Sequence, residues 1–314
     1  MKTNKRNFNI LSNYSYFTPD ARGIVMLLLW FLVGALLGNI LAAILMLAFR
    51  DVEEITFYAQ LVAYPAMFIP PMMYSSLKSK ENSFFKKGYG ISNDHYKPVG
   101  GHACVILVMV GTLCTSFIAD ITSALLPEPP QWLVEMLESL TSGDNLILNF
   151  LMVSIMAPFF EEWLCRGMFL RGLLNCERRD KEGNRVRGIK PVWAIVISAA
   201  LFALIHMNPW QAVPAFLLGC LFGYVYYRTG SIKLTMLMHC TNNTFALVMS
   251  NIDSLKDVES LEEVMSPAAI VITLLCCAAF VYFMVRMFQK IPVPTKAGNC
   301  DEVLAEGIQP DPEN

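Results

Sequence analysis

Three short clusters carry the side chains that could do chemistry. The first is Pro158-Phe159-Phe160-Glu161-Glu162-Trp163-Leu164-Cys165-Arg166. Neighbours on a helix point about 100° apart, so the two carboxylates face different directions. Glu162 and Arg166 are four residues apart and share a face, which suits an ion pair. Glu161 is then left in an apolar stretch without an in-helix cation, the setting of a general base. The second cluster ends Phe202-Ala203-Leu204-Ile205-His206, with Phe202 and His206 on one helical face. The third is His239-Cys240-Thr241-Asn242-Asn243. Here an imidazole and an amide four apart can donate two hydrogen bonds to one oxyanion.

Each cluster also has a plainer reading. The Glu-Glu-Arg group reads as charge at a helix end, His206 as a packed polar residue, and His239 with Asn243 as interhelical hydrogen bonding. What weighs against this is where they lie. Ionisable groups within apolar runs are costly and mark function. His95 and His102 sit near a loop–span junction without such partners and read as structural. Cys165, beside two glutamates and an arginine, is an alternative nucleophile with no supporting pattern.

The elements that must position these residues are membrane spans. The chain has 314 residues, 55% hydrophobic and 16% charged, with mean hydropathy +0.46. Soluble domains hold about 25% charged residues, so the composition is that of a membrane protein. No basic stripe with interleaved aromatics points to nucleic acid. Of the nine cysteines, Cys104, Cys114, Cys220, Cys240, Cys276 and Cys277 lie in apolar runs and there is no CxxC pair, which argues against a disulfide framework or a thiolate metal site.

Spans need about 20 apolar residues. Eight segments qualify: 24–49, 57–77, 100–126, 145–174, 191–208, 211–228, 231–251 and 267–289. The fold class is therefore all-α, a polytopic bundle of about eight transmembrane helices. The second span holds Pro65, Pro70 and Pro71 and is expected to kink. The amphipathic segment 128–143 reads as an interfacial helix. Residues 1–144 thus form three spans and this segment, 145–251 the core that holds all three clusters, 252–291 the last span, and 292–314 a loose polar tail.

Lysine and arginine concentrate in alternate connections. They fill the amino terminus, 78–97, 171–190 and 228–233, whereas 51–54 and 128–144 hold acids alone. The positive-inside rule then puts both termini in the cytoplasm. Glu161 and His206 each lie about thirteen residues, or roughly 20 Å, from the basic connection between their spans, at one depth. His239 is shallower, at about 12 Å.

With EExxxR (Glu161, Glu162, Arg166), FxxxH (Phe202, His206) and HxxxN (His239, Asn243) in order, each in its own apolar span, residues 145–250 resemble the CPBP family. This group contains the type II CAAX prenyl proteases and the Abi and bacteriocin-processing membrane peptidases. The resemblance implies an intramembrane endopeptidase in the bacterial plasma membrane, with a conical cavity open to the cytoplasm and the lipid. It implies that Glu161 and His206 activate water, that His239 and Asn243 form the oxyanion hole, and that Glu162, Arg166 and Phe202 support the site or the substrate. The substrate is then a membrane-associated or lipidated peptide or protein. No cofactor is implied, though Glu161, His206 and His239 could ligate zinc with an open position. The charged insertion 177–190 departs from shorter members. Two other readings stay open: a non-catalytic immunity or scaffold protein of the same fold, and a transporter, against which no inverted repeat is found.

Overall fold

The computed structural model describes residues 10–52, 55–84, 90–124, 126–141, 145–179, 185–252 and 261–293. Its helices are α1 (Ala21–Ala48), α2 (Ile55–Ala66), α3 (Ile69–Asn82), α4 (Gly101–Ser123), α5 (Gln131–Thr141), α6 (Leu146–Leu174), α7 (Pro191–Leu204), α8 (Pro209–Thr229), α9 (Ile232–Met249) and α10 (Pro267–Phe288). The protein is a helical integral membrane protein. Four helices, α1, α4, α6 and α10, are long and apolar enough to cross a membrane, and α7 is a shorter apolar helix. α1 and α10 expose rows of large apolar side chains, among them Leu29, Leu36, Leu47, Val271 and Leu275. Such a surface needs an apolar surround.

The second predicted span is broken, as its prolines require. Pro65 lies near the end of α2, Pro70 and Pro71 open α3, and the chain turns at Met67–Phe68 between them. The packing of α1 on this broken pair is close. A Cβ on Gly34 would collide with the carbonyl of Met67, and one on Gly38 would stand 2.8 Å from that of Ala63. Gly34 and Gly38 form a small-xxx-small stripe that lets the two backbones approach.

α6 is continuous but widens twice. Its π-helical stretches are Phe150–Met156 and Trp163–Leu170, flanking regular helix at Ala157–Glu162. Pro158 has no N–H to give and its ring crowds the preceding turn, and there the Ala157 N–H reaches back five residues to Met152. Wide turns of this kind recur at functional sites.

Two helix boundaries differ from the sequence expectation. The fifth span was expected to run helical to 208, but α7 stops at Leu204 and His206 lies in a turn. Asn208 accepts from the Gln211 N–H as an N-cap and Pro209 opens α8, a start signal that ends the preceding helix. The connection 177–190 is not irregular throughout: Glu177–Arg179 (β1) pairs antiparallel with Arg185–Arg187 (β2), a small exception to the all-helical fold. The sixth and seventh spans part as expected, with Gly230 left-handed at φ 62° and Ser231 capping α9. Segment 128–143 forms α5 as expected. Most of the polar tail lies outside the described residues.

Hydrogen bonds gather the connections at two opposite ends of the bundle. At one end Arg171 donates to the Phe17 carbonyl (2.6 Å) and Thr18 Oγ1, tying the segment before α1 to the end of α6. Asn93 and His95 bond backbone to the α8–α9 turn, and Arg228 donates to carbonyls of Phe288, Gln289 and Ile291. At the other end Trp210 Nε1 donates to the Pro127 carbonyl (2.6 Å) and Asn251 to that of Thr141 (2.5 Å).

Candidate active site

α6 delivers both glutamates, and they divide as the helical spacing requires. Glu162 is fully buried and paired with Arg166, Nη1 to Oε1 2.8 Å. Arg166 also donates to the Gly219 carbonyl at 3.1 Å and lies over the rings of Phe202 (4.5 Å) and Phe222 (5.3 Å). The cation is thus held by a carboxylate, a carbonyl and two aromatic faces, which is what lets it be buried. Glu162 Oε1 takes a further bond from His239 Nδ1 at 3.2 Å. A carboxylate accepts, so Nδ1 carries the proton and Nε2 is the nitrogen turned away from Glu162.

Glu161, one residue earlier, faces a cavity of about 570 Å³. His206, His239 and Asn243 line the same cavity, so three segments far apart in the chain converge on it. The Glu161 side chain is 12% exposed; its Oε1 accepts from the Tyr64 hydroxyl, while Oε2 has no hydrogen-bond partner. Oε2 stands 3.9 Å from His239 Nε2. His239 is the imidazole beside this oxygen, and His206 lines the same cavity. His206 gives its Nδ1–H to the Phe202 carbonyl at 2.8 Å, so the neutral ring holds its lone pair at Nε2. That bond caps the end of α7, where carbonyls otherwise lack partners. Phe202 packs edge-on against both imidazoles, with centroids 5.1 Å from His206 and 5.5 Å from His239.

Asn243 is fixed by a chain of bonds. Ser116 Oγ donates to Asn242 Oδ1 (2.5 Å), Asn242 Nδ2 to Asn243 Oδ1 (3.1 Å), and Asn243 Nδ2 to the Val153 carbonyl (2.8 Å). The amide therefore keeps one N–H for another acceptor.

Sequence reasoning missed Tyr64, Asn242 and Ser116. Tyr64 lies 97 residues from Glu161, in a span read only for its prolines. The spacing Gly34-xxx-Gly38 was the available signal that α1 and α2 pack tightly enough to press a side chain inward. Glu162 and Arg166 do not line the cavity; they sit behind it and hold His239, Phe202 and Gly219 in place. Among the described residues no group of three His, Cys, Asp or Glu side chains is arranged to hold a metal ion.

A helical membrane bundle thus places a carboxylate, two imidazoles and an amide around one internal cavity. Residues 143–245, about a third of the chain, match the family model described as type II CAAX prenyl endopeptidase Rce1-like. That match supports the resemblance to the CPBP and CAAX protease family that the three motifs indicate. Among curated proteins and among solved structures, nothing matches the chain.

Proposed function

We propose that the protein is an intramembrane endopeptidase that hydrolyses a peptide bond of a membrane-associated or lipidated peptide or protein, with Glu161 as general base. The observation that carries this is Glu161 lining the cavity together with His206, His239 and Asn243, its buried Oε2 without a hydrogen-bond partner and 3.9 Å from His239 Nε2. Glu161 takes a proton from water as the water oxygen attacks the carbonyl carbon, and returns it to the leaving nitrogen as the C–N bond breaks. The bare Nε2 of His206 accepts the other proton of that water in a hydrogen bond and orients it. The second N–H of Asn243 and His239 Nε2–H donate to the oxyanion. With Nδ1–H engaged by Glu162, His239 offers an Nε2–H to the oxyanion only when both ring nitrogens carry a proton. The protein crosses the bacterial plasma membrane eight times, with both termini cytoplasmic. The gathering of the segment before α1, the end of α6 and the end of α10 at one end of the bundle supports that layout.

The test is substrate profiling in membranes with wild type and Glu161→Gln, followed by the purified wild type after exhaustive chelation. The amide cannot take the proton, so turnover falls roughly 100- to 10,000-fold. Cleavage that persists in Glu161→Gln refutes the base. Activity that dies on chelation and returns only with zinc replaces the glutamate mechanism with a metal one.

A further inference from the structure

We infer that Gln211 is a substrate-positioning residue, whose side-chain amide donates to a backbone carbonyl of an extended peptide beside the bond that is cut. This rests on reading the cavity as the peptidase site and names a group that grips the substrate there.

Gln211 lies in the first turn of α8 and lines the cavity together with Glu161, His206 and Asn243. Its side chain is oriented by its neighbours. Asn208 Oδ1 accepts from the Gln211 main-chain N–H at 2.9 Å, which makes Nδ2 the donor end of Asn208. That Nδ2 donates to the His206 carbonyl at 2.9 Å and to Gln211 Oε1 at 2.6 Å, so both of its N–H groups are used. The Gln211 amide therefore has its oxygen toward Asn208 and its nitrogen turned away from it. Asn208 is buried at 9% exposed, which holds this clamp inside the protein. Gln211 Nε2 carries two N–H donors and gives them to nothing among the described residues. The residue that caps α8 thus ties the His206 turn to an aimed pair of donors.

A peptide carbonyl brought into an apolar cavity needs such a donor, because leaving it unpaired costs more than pairing it gains. The lining offers few. Among the described residues no lysine or arginine lines the cavity, so neutral groups must meet the substrate backbone. Asn242 Nδ2 is turned to Asn243, Asn39 Nδ2 to the Ala35 carbonyl of its own helix, and the Tyr64 hydroxyl to Glu161. The spare N–H of Asn243 is assigned to the oxyanion, a demand of the reacting carbonyl itself. Gln60 lines the cavity with no bond to orient it. Gln211 is the lining amide that is both oriented and uncommitted. It is carried by the turn that carries His206, so the carbonyl it takes belongs to a residue flanking the cut bond. The grip is on backbone and leaves the side chain at that position unread.

The probes are internally quenched peptides spanning the bonds that wild-type membranes cleave and Glu161→Gln membranes do not, assayed with the purified full chain in detergent. In the peptide cut best, each peptide group flanking the cut bond is replaced in turn by a trans-alkene, which keeps the shape and removes the carbonyl. Wild type should lose about two- to tenfold in kcat/KM at one position, the worth of one hydrogen bond. Gln211→Met should raise KM for the parent peptide by a similar factor with kcat little changed. It should also lose nothing further from the alkene at that one position, because the donor is already gone. Should Gln211→Met not fold, Gln211→Glu keeps the oxygen that Asn208 uses, offers no N–H, and replaces it in the same cycle. A wild-type KM in the variant, or an alkene penalty that persists in full, overturns the inference while the peptidase reading stands. The absence of any bond whose cleavage depends on Glu161 overturns that reading, and the inference with it.

Discussion

Tyr64→Phe removes one oxygen and tests how Glu161 is aimed. The Tyr64 hydroxyl donates to Glu161 Oε1, and that bond leaves Oε2 as the only carboxylate oxygen facing His239. Phenylalanine keeps the ring, which packs 5.6 Å from Phe68 and stays anchored by it. Folding is therefore expected to survive, and thermal unfolding in detergent should move little. A hydrogen bond to a charged group is worth about 1.5–3 kcal/mol. At about 1.4 kcal/mol per tenfold in rate, full loss of that alignment in the transition state is roughly 10- to 100-fold in kcat. KM should hold, because the bond is made to the enzyme's own base and not to substrate. The assay is kcat and KM for wild type, Tyr64→Phe, Glu161→Asp and the double variant. Aspartate is one methylene shorter and draws the carboxylate out of reach of the tyrosine. In that background the second substitution should cost less than about threefold, the non-additivity of two residues acting as a unit. A Tyr64→Phe enzyme with wild-type kcat, or losses that simply multiply, would refute the reasoning while leaving Glu161 as base untouched.

Three other expectations follow from the same geometry. Arg166→Met strands the buried Glu162 carboxylate and should destabilise the protein by about 3–5 kcal/mol, whereas Glu162→Gln with Arg166→Met recovers much of the loss; unfolding midpoints of the three variants check this. Gly34→Ala drives a methyl group into the Met67 carbonyl and should separate α1 from α2; activity should fall with the Tyr64 contact, and a variant as active and stable as wild type would show that the close approach is not needed. Asp94 supplies the pH dependence. Burial pushes its carboxyl up, but bonds from Lys233, Ser231 and Ser92 outweigh that and hold it below the ordinary carboxylate value. A depressed value in the folded state means stability that is present above about pH 4 and lost as pH falls through the folded value. Asp94→Asn should therefore unfold earlier than wild type at pH 7, and the gap should close in acid.

The parts legible in the sequence are those with local causes. Helix spacing alone separates Glu162 from Glu161 and pairs Glu162 with Arg166. Gly230-Ser231 ends one helix and caps the next where apolar periodicity would have run on. The prolines of the second span foretell its break. The reading failed where a local signal was outweighed by a more conspicuous one. Asn208-Pro209 is a helix start by the same logic as Ser231, yet an apolar run through His206 was read as helix to 208. The charged insertion 177–190 was noted for its charge, not for the pairing of Glu177–Arg179 with Arg185–Arg187.

What no local rule could supply is the wiring between elements, and the site depends on it. His239 was paired in sequence with Asn243 because both sit on one face of α9. In the fold its defining bond is to Glu162 of α6, which fixes the ring so that Nε2 meets Glu161. Adjacent glutamates thus flank one imidazole, Glu162 bonded to Nδ1 and Glu161 3.9 Å from Nε2, an arrangement that neither residue's own helix could reveal. Tyr64 completes the logic from outside the third of the chain that carries the family's motifs. Its hydroxyl occupies one oxygen of Glu161 and leaves the other without a hydrogen-bond partner, on a helix that two glycines of α1 approach closely. The motifs therefore name the candidate groups, while which atom of each is left without a hydrogen bond is decided by contacts 77 and 97 residues away.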